Sequence, residues 1–157
     1  MNKEEQIMAE FRNLLSKMTL LNKSKMENRL KGYKPSEVHF IECIGNNEYC
    51  NVTKLAEAFF MTNGAISKLY KKLAAKGIIE SYQKADNKKE IYFRLTAKGK
   101  TVYNTHKELH EEFLARDKVV FEQTPEKELD SMLNFALAYN KHLDGFISTN
   151  SKTGANE

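Results

Sequence analysis

Cysteine is scarce in this chain: Cys43 and Cys50 are the two in 157 residues. They are too few for a disulfide framework and are not spaced as a C-x-x-C pair. No apolar run approaches the roughly 18–20 residues needed to cross a bilayer, so no transmembrane segment is expected. The opening MNKEEQIMAEF alternates charge with apolar residues where a signal peptide would carry an apolar core, and a cytoplasmic chain is expected. No internal repeat or low-complexity tract is visible. Catalytic signatures are missing as well. Gly99-Lys100-Thr101 resembles the end of a phosphate loop, but the glycine required five positions earlier is Arg94. His110-Glu111 opens a zinc-protease motif whose second histidine falls at Leu114, and there is no G-x-S-x-G. Neither an enzyme nor a resident cofactor is expected.

What is present suits a folded domain with helical extensions: 41% hydrophobic and 10% aromatic residues argue against disorder. The formal net charge of +4 says little by itself, but its distribution is uneven. Residues 1–35 carry a net of +4, residues 36–61 a net of −3, residues 62–100 a net of +7 and residues 101–157 a net of −4. A basic block between acidic flanks is an electrostatic footprint for a polyanion, although a solvated lysine-rich surface would read the same way on charge alone.

Periodicity places the elements. Ile7, Phe11, Leu14, Leu15, Met18 and Leu21 recur at helical spacing, so the N-terminal stretch reads as one long amphipathic helix ending before Gly32-Tyr33-Lys34-Pro35. Ser36 is a candidate N-cap for a second helix bearing Val38, Phe40, Ile41 and Ile44, with Gly45-Asn46-Asn47 as its stop. Thr53 to Phe60 and Thr62 to Lys76 read as two short helices joined at Met61, each capped by its threonine, with Gly77 ending the second. The period then changes. Ile78 to Lys84 and Glu90 to Leu95 read as strands around a loop, Ala85 to Lys89, with Ile91, Phe93 and Leu95 on one face and Tyr92 and Arg94 on the other. Thr96 caps a long helix to about Gln123, with Val102, His106, Leu109, Phe113 and Val120 on one stripe. Thr124-Pro125 starts a last helix that buries Leu129, Met132, Leu133, Ala136, Leu137 and Leu143 and stops at Gly145.

This order predicts a mainly α fold with a small β-hairpin wing: a winged helix-turn-helix core with long N- and C-terminal dimerisation helices. The expected divisions are 1–34 for the N-terminal dimerisation helix, 35–99 for the DNA-binding domain, 100–147 for the C-terminal dimerisation helices and 148–157 for a disordered tail. A helix-turn-helix lays its second helix in the major groove of double-stranded DNA. Asn63, Gly64 and Ser67 are short and polar, allowing close approach to base edges. Asn63 can pair bidentately with adenine, Lys68 can reach guanine or a phosphate, and Lys71 and Lys72 suit phosphates. With Thr53, Lys54 and Thr62 from the helix-turn-helix, and Asn87, Lys88 and Lys89 from the hairpin, these are the residues expected at the interface.

Residues 52–80, VTKLAEAFFMTNGAISKLYKKLAAKGIIE, followed by residues 86–99, DNKKEIYFRLTAKG, resemble the MarR-type winged-helix transcriptional regulators. Asp86 and Leu95-Thr96-x-x-Gly99 match that family's wing pattern. The resemblance implies a homodimer formed through the first and last helices, most often a repressor of a pseudo-palindromic site, released by a small-molecule effector. It also exposes a departure: Lys88 and Lys89 stand where the family usually has arginines, one paired to the aspartate and one entering the minor groove. Lysine lacks the planar fork for that pair, so phosphate contact is expected instead. Zinc-sensing members carry histidines at what look like the positions of His39, His106 and His110, as do members that regulate fatty-acid synthesis. With Cys43 or a carboxylate these histidines could close a zinc site, and ordinary interhelical histidines remain the other reading. The family's peroxide sensors place their cysteine in the first helix, which has none here; Cys50 is the candidate redox residue and Cys43 reads as a buried thiol. A metal-responsive regulator of the same fold and a winged-helix module for protein–protein contact are the competing functions.

Overall fold

The computed structural model describes residues 1–153, with the side chains of residues 1–148. Six helices and a hairpin follow one another as α1 (Lys3–Arg29), α2 (Pro35–Asn46), α3 (Val52–Phe59), α4 (Asn63–Ala75), β1 (Ile79–Lys84), β2 (Asn87–Leu95), α5 (Ala97–Glu122) and α6 (Glu126–Thr153). This is the winged helix-turn-helix with long flanking helices that the sequence predicts. Among the described residues no helix is long and apolar enough to cross a membrane.

The caps explain most boundaries. Asn2 and Glu5 form a reciprocal capping box at the start of α1. Thr62 Oγ1 accepts from the Ala65 amide, opening α4 where expected, and Gly77 follows its end at φ 72°. Two caps differ from the sequence reading. Pro35 takes the first position of α2, where its missing N–H is no loss, so Lys34 and not Ser36 flanks the helix. Asn51 and not Thr53 caps α3, its carboxamide accepting from the Lys54 amide at 2.9 Å. The turn between α3 and α4 closes on Phe60, which is left-handed at φ 52° without being glycine.

Two expected glycine stops are not stops. Gly45 lies inside α2, which continues through Asn46. A Cβ there would run into the Tyr103 ring, whose hydroxyl donates to Asn46 Oδ1 at 2.6 Å, so this glycine admits α5 against α2. Gly145 lies within α6 in open space; the helix passes it and runs to Thr153. The expected tail is therefore helical over residues 148–153, and residues 154–157 lie outside the described residues.

The core gathers Phe40 and Ile41 of α2, Leu55 of α3, Ile66 and Leu73 of α4, Ile78, and Leu109 of α5, all less than 2% exposed. The wing attaches through Phe93, which stacks on Tyr70 of α4 at 4.3 Å and donates its amide to the Cys50 carbonyl at 2.8 Å. The hairpin pairs Ile79 with Leu95, Glu80 with Arg94, Tyr82 with Tyr92 and Lys84 with Asn87, with an irregularity between Tyr82 and Lys84. The turn is thus shorter than the expected loop, and Asn87, Lys88 and Lys89 belong to β2. Ile91 is exposed while Phe93 and Leu95 on the same face are buried, and Tyr92 is buried because Tyr49 and Tyr82 pack on its outer face.

Among the described residues the expected stripes of the terminal helices are mostly uncovered. No residue of α1 is buried: Phe11, Leu14, Leu15, Met18 and Leu21 are exposed and Ile7 is half-buried. In α6 Met132, Leu133, Ala136, Leu137 and Leu143 are exposed and Leu129 is half-buried; Val120 of α5 is exposed as well. Arg29 ties α1 to α5 by donating to Glu108 and Glu112 at 2.7 and 2.8 Å.

Two features join the helices to the wing and to each other. Thr96 Oγ1 donates to the Gly77 carbonyl at 2.6 Å, with the Ile78 carbonyl at 3.1 Å, and accepts from the Gly99 amide. A Cβ on Gly99 would collide with the backbone carbonyl of Ile78, which cannot move aside. Between α2 and α5, His106 is buried and its Nε2 is 3.0 Å from Nε2 of His110. Burial holds the His106 imidazole below its ordinary range, helped by His110 and His39 and opposed by Glu42.

Two outcomes are expected. Gly99→Ala should destabilise the fold by about 1–3 kcal/mol in denaturant unfolding, because overpacking against backbone outweighs the roughly 1 kcal/mol that alanine gains in a helix. The His106 ring adds a pH dependence of definite sign. Above its ordinary value of about 6.5 the ring is neutral folded and unfolded. As pH falls through that value the unfolded chain takes up a proton that the native state resists, so stability is lost down to the lower folded value. Urea midpoints should therefore fall between pH 7.5 and 5.5, with a flatter profile in His106→Gln.

Candidate nucleic-acid interface

Helix α4 is amphipathic in a way that leaves one face unoccupied. Ile66 and Leu73 are fully buried and Leu69 is half-buried, which turns Asn63, Gly64, Lys68 and Lys71 outward, with Ser67 at the margin. Among the described residues no side-chain hydrogen bond or ion pair occupies Asn63, Ser67, Lys68 or Lys71. Gly64 is in open space: a Cβ there would meet nothing closer than Thr62 Oγ1 at 4.0 Å. The fold therefore does not require this glycine, and its absent side chain thins the exposed face of the first turn.

The other expected residues divide. Lys88 and Lys89 are exposed near the hairpin tip. Being consecutive in a strand, they point to opposite faces. Among the described residues Asp86 has no ion pair, so the aspartate–arginine pair of the family pattern has no lysine counterpart here. Asn87 is occupied locally, its side chain accepting from the Lys89 and Glu90 amides at 3.1 and 3.4 Å. Thr62 is occupied by its cap. Thr53 is exposed without capping a helix, and Lys54 Nζ donates to the Tyr49 carbonyl at 3.3 Å.

Lys72 departs from the expectation. Its ammonium lies 3.0 Å from Oε1 of Glu37, a carboxylate on α2 that is 1% exposed, while Lys76 donates to Oε2 at 3.0 Å. Burial by itself pushes the Glu37 carboxyl up, but its contacts and charge interactions with the two lysines prevail and hold it below the usual carboxylate range. The ten basic side chains of residues 62–100 thus include three already paired, Lys72 and Lys76 with Glu37 and Arg94 with Glu80. The cue was in the sequence: Glu37 is an acid one residue from Val38 and on the apolar side of α2.

The wing root holds a second arrangement that residue patterns did not reveal. Lys84 Nζ lies 3.4 Å from the centroid of the Tyr49 ring and 5.0 Å from that of Tyr92. Asn51 donates from its carboxamide to Glu90 at 3.4 Å. These contacts tie the α2–α3 connection to the hairpin and so fix the wing beside α4. A cavity of about 830 Å³ opens between that connection, the wing and α5, lined in part by Tyr49, Tyr82, Arg94, Lys100 and Tyr103.

The histidines and their neighbours are spread along the α2–α5 seam. His39 and His106 rings are 6.5 Å apart, His39 Nδ1 is 3.7 Å from Glu42, and Cys43 accepts from the Asn47 carboxamide at 3.8 Å. Among the described residues no group of three or more His, Cys, Asp or Glu could hold a metal ion. Burial raises the thiol of Cys50, and likewise that of Cys43, above the usual range, which lowers their reactivity.

Known proteins agree with this geometry. The model of the MarR family matches residues 34–91. The HTH-type transcriptional regulators YhjH and PchR of Bacillus subtilis are 38% and 39% identical over 94 and 75 residues, which are 60% and 48% of this chain. The matches take in 54% and 44% of those relatives, so the chain spans about half their length. Among solved structures, Streptococcus pneumoniae FabT in complex with DNA superposes with a TM-score of 0.77 at 18% identity, covering 92% of this chain and 99% of that one. The adhesin competence repressor AdcR of Streptococcus pyogenes superposes at 0.66 with 21% identity, over 92% and 99% of the two chains. The helix order and the wing motif at Leu95-Thr96-x-x-Gly99 accord with this likeness, and over residues 34–91 the chain is similar to the MarR family.

Proposed function

We propose that this protein is a cytoplasmic, homodimeric transcriptional regulator, a repressor, that binds double-stranded DNA and is not an enzyme. The observation that carries the reading is the exposed face of α4. Asn63, Lys68 and Lys71 are outward, with Ser67 at the margin, and among the described residues none has an internal side-chain partner, beside a wing that offers Lys88 and Lys89. Short polar groups at the N-terminal end of a helix suit base edges, and the lysines further along suit phosphates. FabT, whose fold this chain shares, is a DNA-bound relative by its own structure, and YhjH and PchR are transcriptional regulators by name.

Two copies are needed to bury the terminal helices. Phe11, Leu14, Leu15 and Met18 of α1, with Met132, Leu133 and Leu137 of α6, form apolar stripes too large for a monomer to leave in water. Phe11 and Phe135 already touch edge to face at 6.1 Å, bringing the two stripes together. A second copy related by a two-fold axis would cover them and place one α4 in each half-site of a pseudo-palindrome. A small ligand would act by favouring one spacing of the two α4 helices, and its effect would be limited to its preference for that state.

Duplexes selected from a random pool test the reading. Changing Asn63, Ser67, Lys68 and Lys71 together to alanine should abolish binding while circular dichroism stays native; retained binding would refute a DNA interface on α4. Lys88→Ala with Lys89→Ala should weaken binding and flatten the salt dependence by about one unit per lost phosphate contact. Gly64→Ala should hold or raise the melting temperature, because alanine is the better helix former by about 1 kcal/mol, yet weaken duplex binding by obstructing close approach.

A further inference from the structure

We infer that Glu37 is the positioning residue of the DNA-reading helix: it clamps the C-terminal half of α4 to the α1–α2 junction and holds Lys72 away from the phosphates. The inference rests on the DNA-binding reading of α4 and adds to it a residue that touches no nucleic acid.

The geometry is specific. Lys72 and Lys76 are one helical turn apart, so they leave α4 on the same side and meet the two oxygens of one carboxylate, each at 3.0 Å. Lys76 also donates to the Gly32 carbonyl at 3.0 Å, and its ammonium lies 5.2 Å from the centroid of the Tyr33 ring. One lysine thus joins α4 to the connection that leaves α1. Glu37 is 1% exposed, and among the described residues the Lys72 ammonium at 3.0 Å is what compensates its Oε1.

A buried carboxylate held by two lysines contributes little net stability compared with an apolar side chain of similar size. Orientation is what it supplies. The apolar contacts of Ile66 and Leu73 are non-directional and permit small rotations of α4, whereas two ion pairs at its far end do not. Because Lys71 and Lys72 are adjacent, the clamp also separates them by role: Lys71 stays free on the exposed face while Lys72 is turned to the protein. The clamp lies where a shift of α1, and hence of a dimer built on it, would reach α4.

The test compares wild type, Glu37→Gln, Lys72→Gln and the double variant as full-length chains. Each is titrated with the duplex that wild type selects from a random pool and with a scrambled duplex, across a salt series. In Glu37→Gln, affinity for the selected duplex should fall about tenfold, while affinity for the scrambled duplex holds or rises. Its salt dependence should steepen by about one unit as Lys72 becomes free for a phosphate. Lys72→Gln alone should leave the salt dependence unchanged, and in the Glu37→Gln background it should remove the added unit. Unchanged discrimination and salt dependence in Glu37→Gln would overturn the inference. So would a one-unit loss in Lys72→Gln alone, which decides the matter even if Glu37→Gln fails to fold by circular dichroism. If wild type selects no duplex, the DNA reading fails first and this inference with it; binding by wild type with no response in the variants defeats the clamp alone.

Discussion

The hydroxyl of Thr96 is the joint on which the winged unit depends. It lies where three elements meet: the carbonyls of Gly77 and Ile78, just past the end of α4, and the first turn of α5, whose Gly99 amide it accepts. A polar side chain in this place pairs the Gly77 carbonyl and an N-terminal amide of α5, while the Ile78 carbonyl also accepts from the Thr96 amide at 3.0 Å. The contact also requires α5 to approach the Ile78 carbonyl closely, which only a residue without Cβ at position 99 allows. The Leu95-Thr96-x-x-Gly99 pattern is therefore a steric and hydrogen-bonding requirement. It sets the direction of α5 relative to the wing, and Phe93 stacked on Tyr70 then sets the wing relative to α4.

Charge in this chain has two destinations that composition does not separate. The basic block of residues 62–100 faces outward at Lys68, Lys71, Lys88 and Lys89 and inward, or sideways to a partner, at Lys72, Lys76 and Arg94. A count of formal charges treats these alike. A polyanion does not, since a lysine already paired with a buried carboxylate has its field largely cancelled at short range. The surface proposed to attract phosphates is consequently smaller than the linear block suggests, and concentrated on the first three turns of α4 and the hairpin tip.

Most of the fold was legible because it is written in local rules. Thr62 and Thr96 cap the helices they were expected to cap, Gly77 ends α4, and the change of period after Gly77 marks the hairpin. The misreadings have a common cause. Gly45 looked like a helix stop, but the reason for that glycine is the ring of Tyr103, 58 positions away in the chain. Gly145 looked like a stop too, yet a helix passes through a solvent-facing glycine at modest cost. Asn87, Lys88 and Lys89 looked like loop because their composition is polar, while cross-strand pairing with Lys84 carries β2 through them. Of the interface, the residues on the exposed face of α4 could be named from periodicity alone, since a buried stripe implies its complement.

What the sequence determined by itself is the order of elements, their caps, the wing motif and the outward face of α4, because each depends on residues a few positions apart. Only the tertiary structure decided which lysines are free. Lys71 and Lys72 are indistinguishable in a linear reading; their neighbours, charge and helix position are nearly the same. They differ because α2 packs across one side of α4 and brings a buried carboxylate within 3.0 Å of one ammonium and not the other. Ion pairing falls off over a few ångströms, and distances of that kind between α2 and α4 exist only after the chain has folded.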